Sequence, residues 1–377
     1  YATGYFGFAS EPAIRLAARL AEITPPGLNR AYLTLGGSEA IDAAVRLIVQ
    51  YWNARGQPQK KHFLSLQRGY HGSSSTGAGL TALPVFHRGF DLPLATQHYL
   101  PSPDPYRHPL GSGQGGDDAA LIAASVQSLR DQVAAIGAER VAAFFCEPIQ
   151  GSGGVIVPPA GWLRAMREAT RELGILMVVD EVITGFGRTG KWFGVRNDGF
   201  RPDIMCIAKA ITSGYFPLGA CVVNERIEHA FMTSDDALAS IYHGYTYSGH
   251  PVGCAAALAC LDETFARDLP GNSAREGGFI LDAFHKLAAR HETMGDVRGK
   301  GLMLAIEFVS DRKSRTPAGK TYMAALADAA YEAGALVRVS GNNMIMSPPL
   351  VLERKDSQAI VDAVTRALET VRLDPAK

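Results

Sequence analysis

The sequence predicts an α/β protein with a large domain built on a mostly parallel sheet and a smaller α/β domain at its C-terminal end. Three observations predict it. Short apolar runs that end abruptly in a polar or charged residue recur at residues 141–146, 175–179 and 204–208, as strands covered on both faces do. Segments of helical spacing alternate with those runs, which is the pattern of βαβ units. The chain has 377 residues, enough for two domains at about 150 residues each.

Taken in order, Ser10, Glu11 and Pro12 open a helix with Ile14, Ala17, Leu20 and Ala21 on one face. A strand over 31–35 runs through Gly36-Gly37-Ser38-Glu39 into a second helix starting at Ser38, where Ile41, Ala44, Val45, Ile48, Val49 and Trp52 recur at helical spacing. Strands follow at 62–66, 141–146, 175–179, 203–207 and 220–223, with helices near 117–135 and 161–173. The Pro- and Gly-rich stretch 101–116 reads as an exposed loop or a subunit contact, and a helix over 250–267 leaves the sheet. Beyond it the pattern changes to short strands at 302–309, 335–339 and 344–347 with helices near 320–333 and 355–371. The expected division is a large domain over 1–265 and a small one over 266–377. No internal repeat is visible.

Lys+Arg and Asp+Glu both number 37. That balance gives no basic excess for nucleic acid and no acidic solvating tail, so small molecules and further subunits are the expected partners. No run reaches the roughly 18 apolar residues that span a bilayer. The five cysteines, at 146, 206, 221, 254 and 260, stand singly in apolar stretches without CxxC spacing, which fits core thiols in a reducing, cytoplasmic compartment. No His/Cys/Asp cluster has metal-ligand spacing, so no metal is expected. The chain begins Tyr1-Ala2-Thr3 rather than with Met, and its native start is expected to lie elsewhere.

Two residues carry the chemistry. Asp180 ends the apolar run at 175–179, where an open α/β sheet presents catalytic groups. Lys209 ends the run at 204–208. An amine that attacks a carbonyl must lose its proton, and burial among Ile207, Ala208 and Ile211 would favour the neutral form. A carboxylate beside a pyridine nitrogen does the opposite and keeps that nitrogen protonated. These two demands together describe an enzyme of pyridoxal 5'-phosphate (PLP), in which a lysine carries the aldehyde and an aspartate makes the ring an electron sink.

Other positions read two ways. Gly36-Gly37-Ser38 between strand and helix offers N–H groups and a positive dipole end to a phosphate, or Ser38 before Glu39 is a plain N-cap. The segment is neither a Walker A motif nor GxGxxG. Tyr70-His71-Gly72 either stacks an aromatic ring on a flat cofactor or holds a partly buried tyrosine at a turn. Glu147, directly after a buried strand, is a site group or a salt-bridge partner. The Thr246 hydroxyl serves a phosphate or caps a helix. Arg338 in LVRVSGNN grips a substrate carboxylate with two parallel hydrogen bonds or is a solvated surface charge. No GxSxG elbow occurs.

In order along essentially the whole chain, LTLGGSEAIDAAVRL, GYHGSSSTG, CEPIQGSGG, VVDEVITGFGRTG, CIAKAITSGYFPLGA, HGYTYSGHP, VRGKGLMLAIEF and LVRVSGNNMIMSPPL resemble the class III, or omega, aminotransferases of PLP fold type I, whose large domain has a seven-stranded type of sheet. The resemblance implies that Lys209 holds the cofactor and afterwards shuttles the 1,3-proton, while Asp180 pairs with the ring nitrogen. It implies that Gly37 and Ser38 bind the phosphate, that Tyr70 stacks on the ring and Val182 packs on its other face, and that His71, Glu147 and Ile183 belong to the cofactor site. Thr246 would reach the phosphate of a neighbouring subunit, making a homodimer or a dimer of dimers. Arg338 looks like the family's mobile arginine, which meets the carboxylate of an oxo acid.

Two departures matter. Family members carry a leading segment, and this chain is expected to start after it. Members that use 2-oxoglutarate often have Gln in DEVQTG, where this chain has Ile183, as in the pyruvate-using branch. The expected activity is transfer of an amino group from a terminal amine or omega-amino acid, of beta-alanine or diamine type, to pyruvate. The same scaffold also serves aminomutases, amino-lactam racemases, dialkylglycine decarboxylases and 2-oxoglutarate-dependent aminotransferases, and a truncated, non-catalytic subunit is the remaining alternative.

Overall fold

The apolar runs of the first 224 residues collect in one seven-stranded sheet in the computed structural model, which describes residues 8–111, 113, 116–234 and 240–373. Tyr1-Ala2-Thr3 and part of the stretch 101–116 lie outside the described residues. The strands are β1 (Leu28–Thr34), β2 (His62–Leu66), β3 (Gln97–Leu100), β4 (Val141–Cys146), β5 (Leu176–Asp180), β6 (Ile204–Ile207) and β7 (Gly219–Asn224), in the order β1-β7-β6-β5-β4-β2-β3. The pairs β3/β2, β2/β4, β4/β5 and β5/β6 are parallel. Only β7 is reversed, antiparallel to both β6 and β1, so the sheet is mainly parallel, as the alternation of apolar runs and helices requires.

Register decides where the chemistry falls. Cys146 pairs with Val179 and Asp180 with Cys206, which brings the carboxyl ends of β4, β5 and β6 to one edge. Thr34 at the end of β1 stands opposite Gly219, the first residue of β7. Residues 36–38, 147, 180–183 and 208–209 therefore leave the sheet along the same edge, where open α/β sheets bind ligands.

Helices α1 (Glu11–Ile23), α2 (Gly37–Ala54), α3 (Ser75–Leu80), α4 (Asp118–Ile136), α5 (Trp162–Glu172), α6 (Glu225–Met232) and α7 (Pro251–Ala266) complete this unit. Their starts are written in the sequence: Ser10, Asp117 and Asn224 accept N–H bonds from Ala13, Ala120 and Ile227, the N-cap chemistry of short oxygen side chains. In α2, Ala40, Ala44, Leu47 and Ile48 are buried in a cluster with Val178, Cys206 and Cys221 of the sheet. Burying one such leucine or isoleucine contributes roughly 1.5–3 kcal/mol.

Two buried charges of this unit are held by several hydrogen bonds each. Asp203 accepts both guanidinium nitrogens of Arg167 (2.6 and 3.0 Å), the Asn224 amide (2.9 Å), Arg226 (2.9 Å) and the Met177 N–H (2.9 Å). Lys60 donates to the carbonyls of Ala138, Val141 and Gly174 over the Trp52 ring, and burial lowers its pKa.

A second unit comprises Ile149–Val157, Gly187–Trp192 and the chain from Asp268 onward. It contains α8 (Leu269–Ala288), β8 (Met294–Lys300), β9 (Met303–Asp311), β10 (Thr316–Pro317), α9 (Lys320–Glu332), β11 (Arg338–Ser340), β12 (Asn343–Met346) and α10 (Arg354–Thr370). Its sheet is antiparallel, in the order β10-β9-β12-β11 with β8 also on β9, and its core holds Ile280, Phe284, Leu304, Ile306, Phe308, Leu326 and Val364. The two inserted segments belong here for a physical reason. Buried Arg298 donates to the carbonyls of Gly154 (2.7 Å) and Val155 (3.2 Å) while pairing with Asp296 and Glu307. Arg188 donates to the Leu302 carbonyl (2.9 Å), and the Leu302 N–H returns a bond to Arg188 (3.0 Å).

Candidate active site

The carboxyl edge of the seven-stranded sheet opens into a cleft of about 330 Å³ lined by Leu35–Ser38, Tyr70–Gly72, Glu147, Asp180, Val182, Ile183, Ala208, Lys209, Thr212, Gly214 and Phe216–Leu218. One end of it is the first turn of α2. The N-cap there is Gly36, which has no side-chain cap, so the N-cap reading of Ser38 gives way. Ser38 lies inside the helix, and its Oγ accepts the Ser73 N–H at 3.1 Å. The N–H groups of this first turn have no intrahelical partner, and the dipole favours an anion beside them.

Two glycines show how tightly this end closes. A Cβ on Gly37 would stand 2.9 Å from Val182 Cγ1, and one on Gly72, whose φ is +109°, would stand 2.9 Å from the Ser38 Cα. The helix start, the 70–74 loop and the segment after β5 meet where there is room for hydrogen alone.

Asp180 is buried and held at both oxygens. Its Oδ1 accepts the Val182 N–H at 3.0 Å, and its Oδ2 lies 2.9 Å from His71 Nδ1. His71 Nε2 is buried without a hydrogen-bond partner. A proton there would leave an N–H unanswered in the interior, so the proton belongs on Nδ1 and is donated to Asp180. Each carboxylate oxygen keeps acceptor capacity toward the cleft, which is what a protonated pyridine nitrogen needs as the partner of its N–H. His71 is fixed in turn by its own N–H to Thr81 Oγ1 (2.7 Å).

Glu147 is buried and accepts the Tyr70 N–H at 3.0 Å. Tyr70 is half-buried, with its hydroxyl 3.1 Å from Ser73 Oγ and its ring edge-on to Phe86. Val182 and Ile183 complete the facing wall.

Lys209 opens a short 3-10 turn after β6 with φ +46°, a left-handed conformation uncommon outside glycine. The expected burial of Lys209 is corrected here. Ile207, Ala208 and Ile211 are buried, but Lys209 itself is exposed. Its neighbours turn into the core while the lysine stands at the cleft.

Two expected residues stand apart from the cleft lining. Thr246 is exposed in the turn before α7, and Arg338 is exposed at the start of β11 in the second unit. Glu181 escapes sequence reading although it shapes the site. It is fully buried, and it accepts the Gly194 and Val195 N–H groups at 2.8 Å each and the Thr184 hydroxyl. Burial pushes its carboxyl up to about 7 against those three donors. The bonds tie the segment carrying Asp180, Val182 and Ile183 to the turn at 194–197. An acidic residue inside the run VVDEVITGFG was the available signal. Among the described residues no group of three or more His, Cys, Asp or Glu could hold a metal, and no helix is long and apolar enough to cross a membrane.

Known proteins are similar to this chain. A putrescine–pyruvate aminotransferase of Pseudomonas aeruginosa is 36% identical over 366 residues, 97% of this chain and 78% of that protein. A diaminobutyrate–2-oxoglutarate transaminase of Halomonas elongata is 34% identical, over 97% of this chain and 79% of its own length. The PLP-bound crystal structure of an amine transaminase from an uncultivated Pseudomonas species superposes with a TM-score of 0.94 at 42% identity, covering 98% of this chain and 83% of that one. Residues 3–368 match the family described as Aminotransferase class-III. With that match over nearly its whole length and the fold of PLP-bound transaminases, the chain belongs to the class III aminotransferases and is a PLP-dependent aminotransferase.

Proposed function

We propose that this aminotransferase is an omega-transaminase that takes the amino group of a terminal amine or omega-amino acid, of diamine or beta-alanine type, and delivers it to pyruvate to give alanine. The observation that carries the reading is the meeting of Lys209, Asp180 and the α2 start in one cleft. Bound PLP supplies a cationic ring that takes up the electron pair left when the C–H bond beside the amine nitrogen breaks. Lys209 removes and returns the proton at that carbon. Asp180, oriented by His71, holds the ring-nitrogen proton. Gly37 and Ser38 bind the phosphate, Tyr70 and Val182 cover the two faces, and Glu147 fixes the Tyr70 backbone.

The choice of acceptor rests on Ile183, which is half-buried in the cleft wall. An isoleucine offers no hydrogen bond to the second carboxylate of 2-oxoglutarate, whereas pyruvate has one carboxylate, assigned to Arg338. The relative named for putrescine and pyruvate supports the same pairing. A homodimer in which Thr246 of a second copy reaches the phosphate is the minimal active unit of this reading. Its five cysteines are all free, in keeping with a cytoplasmic enzyme. A panel of amine donors assayed with pyruvate or 2-oxoglutarate as sole acceptor tests it. Alanine formation is expected to be faster by about tenfold or more, and glutamate formed at a matching rate would reverse the assignment of Ile183.

A further inference from the structure

We infer that Asp42 is a positioning residue that sets the cofactor's phosphate cradle by fixing the 72–74 loop against the start of α2. This rests on the assignment of the phosphate to Gly37 and Ser38 made above. Ser38 and Asp42 are four residues apart on α2 and so lie on one face. Ser38 Oγ accepts the Ser73 N–H at 3.1 Å, and Asp42 Oδ1 accepts the Ser74 hydroxyl at 2.7 Å. Ser74 Oγ accepts the Gly77 N–H at 3.2 Å and thereby caps α3. Two successive turns of α2 thus grip two successive residues of the loop, whose Gly72 lies against the Ser38 backbone.

Asp42 is half-buried and is not among the residues lining the cleft. Burial raises its carboxyl pKa, and the neighbouring Glu39 charge adds to that, while the Ser74 hydroxyl and the Gly77 N–H hold it down. Its charge has the same sign as a phosphate. Simple electrostatics therefore predicts that removing the charge tightens phosphate binding, whereas a positioning role predicts that removing the hydrogen bond loosens it. The two effects have opposite signs and can be told apart.

The test titrates PLP and pyridoxal, which differ only in the phosphate, into the full chain freed of cofactor, and records binding by absorbance. Asp42→Ala is expected to weaken PLP about tenfold, the size of one lost charge-assisted hydrogen bond, and pyridoxal by less than about twofold. Asp42→Asn, whose amide oxygen still accepts the Ser74 hydroxyl, is expected to bind PLP within about twofold of the wild type, and Ser74→Ala to resemble Asp42→Ala. Equal losses for PLP and pyridoxal would make Asp42 merely structural, and unchanged or tighter PLP binding by Asp42→Ala would make its charge the dominant effect; either overturns the inference. A wild type that fails to prefer PLP over pyridoxal would instead remove the phosphate assignment on which it stands.

Discussion

His71 Nδ1 lies 2.9 Å from Asp180 Oδ2, and this contact sets the tautomer of one residue and the orientation of the other. Because His71 Nε2 is buried without a partner, its hydrogen bonding is confined to Nδ1, and under the proposed role of Asp180 its effect on the reaction passes through that residue. Asp180→Asn should leave the fold intact and slow the donor half-reaction by about 10²–10⁴-fold, the range for losing a placed proton-handling group. His71→Asn should slow it less. In the double variant the loss should match Asp180→Asn alone, since a residue acting through another has nothing left to act on. Single-turnover rates measure this, and additive losses would give His71 a separate role.

Lys209→Ala should reduce transamination by at least about 10²-fold while the chain still binds PLP through the phosphate end and Asp180. Substantial residual turnover would remove its assigned role. The exposure of Lys209 adds a second expectation. Ile211→Ala opens a hole in the core and should cost about 2–5 kcal/mol of stability. The pH profile of the reaction should stay in place, because Ile211 is buried in the core while Lys209 is exposed. A shift of the profile in a folded Ile211→Ala variant would restore burial as the cause.

What was legible followed from local chemistry. β2 and β4 are readable to the residue because the stretches His62-Phe63-Leu64-Ser65-Leu66 and Val141-Ala142-Ala143-Phe144-Phe145-Cys146, with their phenylalanines, stop at Gln67 and Glu147. β3 is not, since Gln97-His98-Tyr99-Leu100 is half polar and pairs on one side only, with β2. α8 is hidden by Pro270, Gly271, Gly277 and Gly278, although Asp268 caps it and proline at the second position is normal for a helix start. β8 is masked by Gly295, Asp296, Arg298 and Gly299. In the site, residues that end strands announce themselves, while the bonds that orient them do not. His71 and Asp180 are 109 residues apart, and Asp42 and Ser74 are 32 apart. Lys209 shows the limit of reasoning from neighbours, because a left-handed turn at the lysine itself separates its surroundings from those of Ile207 and Ala208.

Gly37→Ala would place a Cβ 2.9 Å from Val182 Cγ1, closer than side chains approach without a shift. Val182 is β-branched and cannot rotate away freely, so the helix start must move. The expected result is weaker PLP binding with a stability loss of about 1–3 kcal/mol. Adding Val182→Ala frees the space and should recover most of the stability loss. Thermal unfolding and PLP titration of both variants check this, and a double variant no better than Gly37→Ala would place the strain elsewhere.

Arg338→Ala should raise the KM for pyruvate and for an omega-amino acid donor by about tenfold or more, the loss of a bidentate carboxylate pair. A simple monoamine donor has no carboxylate to lose, so its half-reaction should proceed at the wild-type rate. Equal impairment of both donor types in single-turnover assays would end the carboxylate assignment.

The paired strands β2 and β3 carry a pH-sensitive contact away from the cleft lining. His62 Nδ1 is 2.9 Å from His98 Nε2, the rings stack with centroids 5.2 Å apart, and Arg140 Nη2 lies 2.9 Å from His62 Nε2. A guanidinium can only donate, so His62 Nε2 accepts and His62 Nδ1 carries the proton given to His98 Nε2. Both rings must be neutral, because a further proton would set N–H against N–H at one of the two contacts. Burial first, and the Arg140 charge second, lower the pKa of both rings, and His98 lowers that of His62 further. The folded state therefore binds fewer protons than the unfolded state as pH falls through the ordinary histidine value of about 6.5; this contribution is whole above that pH and is lost below it. The melting temperature should fall on going from about pH 7.5 to about pH 5.5. His98→Gln, which keeps an acceptor for His62 without the titrating ring, should show a smaller fall. Calorimetric scans of wild type, His98→Gln and His62→Gln across that window decide it, and an unchanged pH slope in both variants would show that the pair does not contribute.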